Sequence, residues 1–287
     1  MRRQASRLLL LPAHVAVLNR SCILRRVILV ALLAYAIGAP ADSDYYTVVT
    51  ATIALAGAPA KVDVYRPVAL PSTGVAVLAH GFTRDRLRDR DLGQALATAG
   101  ITAVAPDLPN VVDPFGNGDA IAGLVSELER GVLGLPSTPR SHIVLIGTSA
   151  GGLATVIAAS NLPGLAGWIG LDPVDGSGVG LVAARKVTAP AVVLLADPSV
   201  CNLFGSGSAI AHALPALKRS ERMRGASHCD FEGPTNHFCR TVCGRSPPGM
   251  DEAVRRETVS AALDMLDPVL PEPAVPVSGD EGVSADP

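Results

Sequence analysis

Gly147-Thr148-Ser149-Ala150-Gly151 is the stretch that most constrains this chain. It follows a run, 141–146, that ends Ile143-Val144-Leu145-Ile146, and precedes 152–159, rich in Ala with Leu, Val and Ile. The first run reads as a buried strand and the second as a helix packed through small side chains. Strand, G-x-S-x-G and helix together spell a nucleophile elbow. The turn is strained and lifts the serine hydroxyl above the sheet. A side chain at 147 or 151 would collide with the neighbouring strand and helix, so both positions call for glycine. The Ala150 N–H then stands at a helix N-terminus, where it can face a developing oxyanion.

The 287 residues are enough to bury a sizeable core. Apolar residues make up 48% but aromatic ones only 3%, which suits a sheet with close helix packing. A net charge of -2 gives no reason to expect nucleic acid as a partner. Residues 1–41 read as a leader: Arg25-Arg26, an apolar run over 27–37, then Gly38-Ala39-Pro40-Ala41 as a cleavage site. The expectation is a secreted or extracytoplasmic protein, with an uncleaved membrane anchor as the alternative. Cys22 and His14 would leave with the leader. The remaining Cys201, Cys229, Cys239 and Cys243 suggest two disulfides, with three pairings open. The C-x9-C-x3-C spacing of the last three fits no common zinc pattern.

Alternating strands and helices follow. Strands are expected at 46–53 and 60–65, joined by a Gly-Ala-Pro turn, and at 74–79, 101–107, 141–146, 165–171, 191–196 and 222–224. Helices are expected at 89–99, 119–131, 152–159, 208–217 and 251–266. The fold class is α/β: a mostly parallel central sheet, antiparallel edge strands at the N-terminus and helices on both faces. The domain spans 42–266. The Pro- and acid-rich 267–287 reads as a disordered tail.

Ser149 needs a base, since an unactivated hydroxyl is a poor nucleophile. His142 begins the nucleophile strand at its wrong end, and His212 lies on a helix. His228 and His237 remain; His228 follows the last strand in a Gly-Ala-Ser loop, and is the expected base. His80-Gly81-Phe82 ends the third strand; the Phe82 and Ala150 N–H groups are the expected oxyanion donors. The acid that orients the imidazole is open between Asp172, at the end of one strand, and Asp197, at the end of the next, with Asp175 a weaker choice.

Gly147–Gly152, Leu171-Asp172-Pro173-Val174-Asp175-Gly176 and Ser227-His228-Cys229-Asp230-Phe231 together resemble the chlorophyllase-like α/β-hydrolases. His80-Gly81-Phe82 with the elbow is also similar to the polyester-degrading cutinases. The likeness covers about 45–245. In chlorophyllases the acid is the first Asp of the Asp-Pro-Val-Asp-Gly block, which maps onto Asp172. The cutinase pattern instead favours Asp197, and Thr148 stands where chlorophyllases usually carry His. The resemblance implies carboxylic-ester hydrolysis, but not chlorophyll as the substrate. The expectation is a monomer that acts on small or polymeric esters, with no cofactor and no metal. The alternatives are an acyltransferase on the same residues, or a binding protein that keeps the fold without the chemistry.

Overall fold

The structure, a computed structural model, describes residues 44–68 and 72–266. The leader and tail expected at 1–41 and 267–287 lie outside these residues.

Among the described residues eight strands form one sheet: β1 (Tyr46–Leu55), β2 (Ala58–Pro67), β3 (Val75–Ala79), β4 (Thr102–Pro106), β5 (Ile143–Thr148), β6 (Gly167–Leu171), β7 (Ala191–Leu195) and β8 (Leu217–Arg222). Their order is β1-β2-β4-β3-β5-β6-β7-β8. β1 and β2 pair antiparallel with each other, as does β2 with β4; every other pair is parallel. This is the α/β-hydrolase fold, with β5 and its elbow in the middle of the sheet.

Among the described residues there are seven α-helices: α1 (Arg90–Thr98), α2 (Pro114–Arg130), α3 (Ala150–Ser160), α4 (Val179–Ala184), α5 (Gly207–Ala213), α6 (His237–Cys243) and α7 (Met250–Leu266). Successive strand side chains point to opposite faces. Val75, Val77, Ile143 and Leu145 join Ile121, Leu124, Val156, Ile157 and Ile210 in one core. Ala76, Leu78, Val144 and Ile146 join Leu92, Leu96, Val254 and Ala262 in the other. Trp168 is fully buried on the first face, its Nε1 donating to Thr155 Oγ1 at 3.0 Å.

The departures from expectation are local. The first hairpin turns at Ala56-Gly57, both at positive φ (49° and 81°), so Ala58 and Pro59 belong to β2 rather than to the turn. Helix α2 begins at Pro114, earlier than the Pro/Asn/Asp/Gly composition suggested, because Asp113 Oδ1 caps the Phe115 N–H at 3.0 Å and proline suits a first helical position. Helix α5 stops at Ala213, and β8 takes 217–222 instead of starting at 222. That strand lies on the sheet edge and alternates half-buried with exposed positions, so its charged residues gave no apolar signal. Helices α4 and α6 are each short and lie outside the expected helices.

Candidate active site

Four chain segments leave the C-terminal ends of the parallel strands and meet. Ser149 follows β5 with φ 56° and ψ -120°, in the left-handed half of backbone space that costs a non-glycine residue about 1–3 kcal/mol. The strain is held from several sides. The Ser149 N–H donates to Leu171 O at 3.0 Å, and its carbonyl accepts the N–H groups of Val174 at 3.1 Å and Leu153 at 3.2 Å. The glycines are needed sterically. A Cβ on Gly147 would lie 2.4 Å from Gly151 O, and one on Gly151 would lie 2.1 Å from Ala79 O.

Asp172 follows β6, also at positive φ (42°), and is fully buried. Its N–H donates to Leu194 O at 2.7 Å. His228 opens a short 3-10 turn, His228–Phe231, after β8. Its Nε2 lies 3.0 Å from Ser149 Oγ, and its Nδ1 lies 2.6 Å from Asp172 Oδ2. All three side chains are buried. Asp172 ionised requires the proton on Nδ1, which leaves Nε2 free to accept from Oγ.

The other two carboxylates are occupied elsewhere. Asp197 is exposed, and its Oδ2 accepts the Gly225 N–H at 2.9 Å. Asp175 accepts the Gly178 and Leu181 N–H groups at 2.8 and 3.1 Å, fastening the start of α4. His237, at the start of α6, faces Thr241 at 3.3 Å instead of the serine.

The loop after β3 closes the other side. Gly81 packs so tightly on Ser149 that a Cβ there would meet the serine Cβ at 3.3 Å. The N–H groups of Phe82 and Ala150 have no acceptor among the described residues, and both residues line one small cleft of about 40 Å³ with Gly81, Leu108 and Asn110. His80 is a tie for this loop. Its Nε2 accepts the Leu108 N–H at 3.0 Å, so Nδ1 carries the proton and donates to Gly81 O at 3.0 Å. Burial pushes the His80 imidazole below its ordinary range, which keeps it neutral for this role. A second tie runs from Arg84 Nε to Glu232 Oε1 at 2.8 Å, with Gly233 N–H donating to Arg88 O at 2.8 Å. The loop after β3 and the segment after His228 are therefore joined directly.

Among the described residues two disulfides brace the segments around His228 and Asn202: Cys201–Cys243 and Cys229–Cys239. Helix α6 carries one cysteine of each. Their partners are sequence neighbours of His228 and of Asn202, a fully buried residue whose Nδ2 lies 3.0 Å from Asp172 Oδ2. Sequence reading did not single out Asn202. Its position directly after Cys201 was the only local signal.

Among the described residues no helix is long and apolar enough to cross a membrane. No protein-family profile and no curated protein matches the sequence. Among solved structures, the chain is similar to the dienelactone hydrolase of Anabaena variabilis. The match has a TM-score of 0.59 at 18% identity over 75% of this chain and 96% of that one, a likeness of fold.

Proposed function

We propose that this chain is an exported serine hydrolase that cleaves carboxylic esters through an acyl-enzyme. The observation that carries the reading is the unbroken chain Ser149 Oγ, His228 Nε2, His228 Nδ1, Asp172 Oδ2 at hydrogen-bond distances. Ser149 Oγ attacks the ester carbonyl carbon and its proton passes to Nε2. Asp172 stabilises the imidazolium. The carbonyl oxygen becomes an oxyanion, which the N–H groups of Phe82 and Ala150 receive; each such donor is worth about 10²–10³ in rate. The C–O bond then breaks and the alcohol leaves with the proton from Nε2. Water enters, gives a proton to Nε2 and attacks the acyl carbon, and the carboxylic acid departs as Oγ regains its proton.

The resemblance to chlorophyllase-like hydrolases and cutinases supports esters over amides. Exposed Phe82, Val111, Leu203 and Phe204 on the loops after β3, β4 and β7 favour esters with apolar parts. Two disulfides fit an oxidising compartment, in agreement with a cleavable leader over 1–41. The test is a fluorophosphonate probe, with peptide mapping of the labelled residue, followed by p-nitrophenyl esters of increasing acyl length. Labelling at Ser149 that disappears in Ser149→Ala, with ester turnover lost in parallel, is expected. An unlabelled native protein, or turnover by Ser149→Ala within tenfold of wild type, overturns the reading. Product analysis with alcohol acceptors distinguishes hydrolysis from acyl transfer.

A further inference from the structure

We infer that Asn202 is a positioning residue: it fixes the carboxylate of Asp172 in the orientation that His228 requires. The inference rests on the proposed roles of Ser149, His228 and Asp172.

Asn202 ends a 3-10 turn, Val200–Asn202, beyond β7. One N–H of its Nδ2 faces Asp172, 3.0 Å from Oδ2 and 3.4 Å from Oδ1. The other donates to the main-chain carbonyl of Asp197 at 3.0 Å. Oδ1 accepts the N–H groups of Ser199 at 2.8 Å and Gly205 at 3.0 Å. All four hydrogen-bonding positions of the amide are thus in use. Reversing the amide would put its oxygen against two acceptors and its NH₂ against two donors, so its orientation is determined by the surroundings.

Three donors converge on the Asp172 carboxylate. Ala196 N–H takes Oδ1 at 3.0 Å, while His228 Nδ1 and Asn202 Nδ2 share Oδ2. Ala196 acts through its main chain and His228 is the base. Asn202 is therefore the donor that substitution can remove without touching the base. A buried carboxylate stripped of a donor keeps its desolvation cost and gains freedom to turn. The N–H on Oδ2 also draws electron density from the oxygen that faces the imidazole. Without it Asp172 pulls harder on the Nδ1 proton and favours the imidazolium. The surrounding loop is committed to this arrangement: Leu203 and Phe204 both adopt positive φ (48° and 56°), and Cys201 is bridged to Cys243.

The other carboxylates around the base are already engaged, so they do not substitute for Asn202. Asp197 holds the Gly225 N–H, Asp230 the N–H and Oγ of Ser227 together with Ser246 Oγ, and Glu232 the Arg84 guanidinium.

The test compares Asn202→Ala and Asn202→Asp with wild type by the pH dependence of fluorophosphonate labelling and ester turnover. Circular dichroism and intact mass check that fold and disulfides persist. Asn202→Ala is expected to lose about 10- to 100-fold in kcat, the worth of a hydrogen bond to a charged group, and its acid limb should move to higher pH. Asn202→Asp keeps the acceptor for Ser199 and Gly205 but sets oxygen against Asp172. Its loss should be larger at neutral pH and partly recovered on acidification, when the new carboxyl can donate. A purely structural role lowers stability without moving the pH profile. If the native protein is labelled at Ser149 but folded Asn202 variants keep its rate and pH profile, Asn202 has no positioning role. If the native protein is not labelled, the underlying triad reading fails instead. Should neither variant fold, the side-chain amide NMR signals of Asn202 in the native protein decide. They should be slow to exchange and shift when Asp172 is replaced by Asn; signals that ignore that replacement overturn the inference.

Discussion

His228 Nδ1 stands 2.6 Å from Asp172 Oδ2, while the Asp197 carboxylate, one strand further on, is turned to the Gly225 N–H. The two aspartates end adjacent parallel strands, and strand position alone does not separate them. Replacement by Asn does. Asp172→Asn is expected to keep the fold and lose about 10⁴-fold in kcat, because the amide holds the wrong imidazole tautomer. Asp197→Asn should stay within a few-fold of wild type and lower the melting temperature slightly. Rates and melts for the pair check this; the reverse outcome would move the acid to Asp197.

The elbow glycines allow a sharp contrast with a helical one. A Cβ on Gly151 would sit 2.1 Å from the Ala79 carbonyl and 2.5 Å from that of His80, both main-chain atoms. Gly151→Ala should cost about 3 kcal/mol or more and yield little folded protein. Gly123 is exposed within α2, with nothing within 4 Å of its added Cβ. Gly123→Ala should stabilise by about 0.5–1 kcal/mol. Denaturant melts of both variants measure the difference.

The disulfides close loops of very different length, separated in sequence by 42 and 10 residues. On loop entropy, a double serine variant of Cys201 and Cys243 should lose about 4 kcal/mol, and one of Cys229 and Cys239 about 3 kcal/mol. Peptide mapping without reductant should return these two pairings. A Cys201–Cys229 peptide would refute them.

Asp89 offers a pH signature away from the serine. Burial holds its carboxyl well above the ordinary range, with repulsion from Glu232 and then Asp85 adding to it, and its Oδ2 has no partner among the described residues. The folded chain thus binds this proton more tightly than the unfolded one. Stability from this group is full at acid pH and is lost as pH rises from the ordinary carboxylate range through the folded value. Asp89→Asn should raise the melting temperature at pH 8, with the gain shrinking toward about pH 4. An equal effect at every pH would show that the charge is not its cause.

Much of this was legible because it is written in patterns that local physics enforces. Continuous apolar runs marked β3 to β7, and the Gly-x-Ser-x-Gly spelling marked the turn that strains Ser149. His228 stood out by its loop after the last strand, with His142 at the wrong strand end and His212 on a helix. What stayed hidden depends on distant partners. Asp172 and Asp197 differ in burial and in which donors reach them. Asn202 looks like any loop asparagine until Asp172, Ser199 and Gly205 arrive around it. Short α4 depends on Asp175 for its first turn, and α6 on Asn236 Oδ1, which accepts the Cys239 N–H at 2.8 Å. Edge strand β8 carries charged residues on both its exposed and its half-buried positions and lacks an apolar run.

The positive φ angles of Ser149 and Asp172, with Thr83 (56°) close behind Phe82, mean that three pivots of the site sit uphill on the backbone energy surface. They stay there only while the sheet ends, the small-residue helix contacts and the cross-loop hydrogen bonds hold them. Any loosening of that frame first releases these residues, since relaxation there is downhill while melting of the strands is not. The geometry around Ser149 is consequently more fragile than the fold. Mild denaturant or heat should silence the serine while the circular dichroism of the sheet remains native.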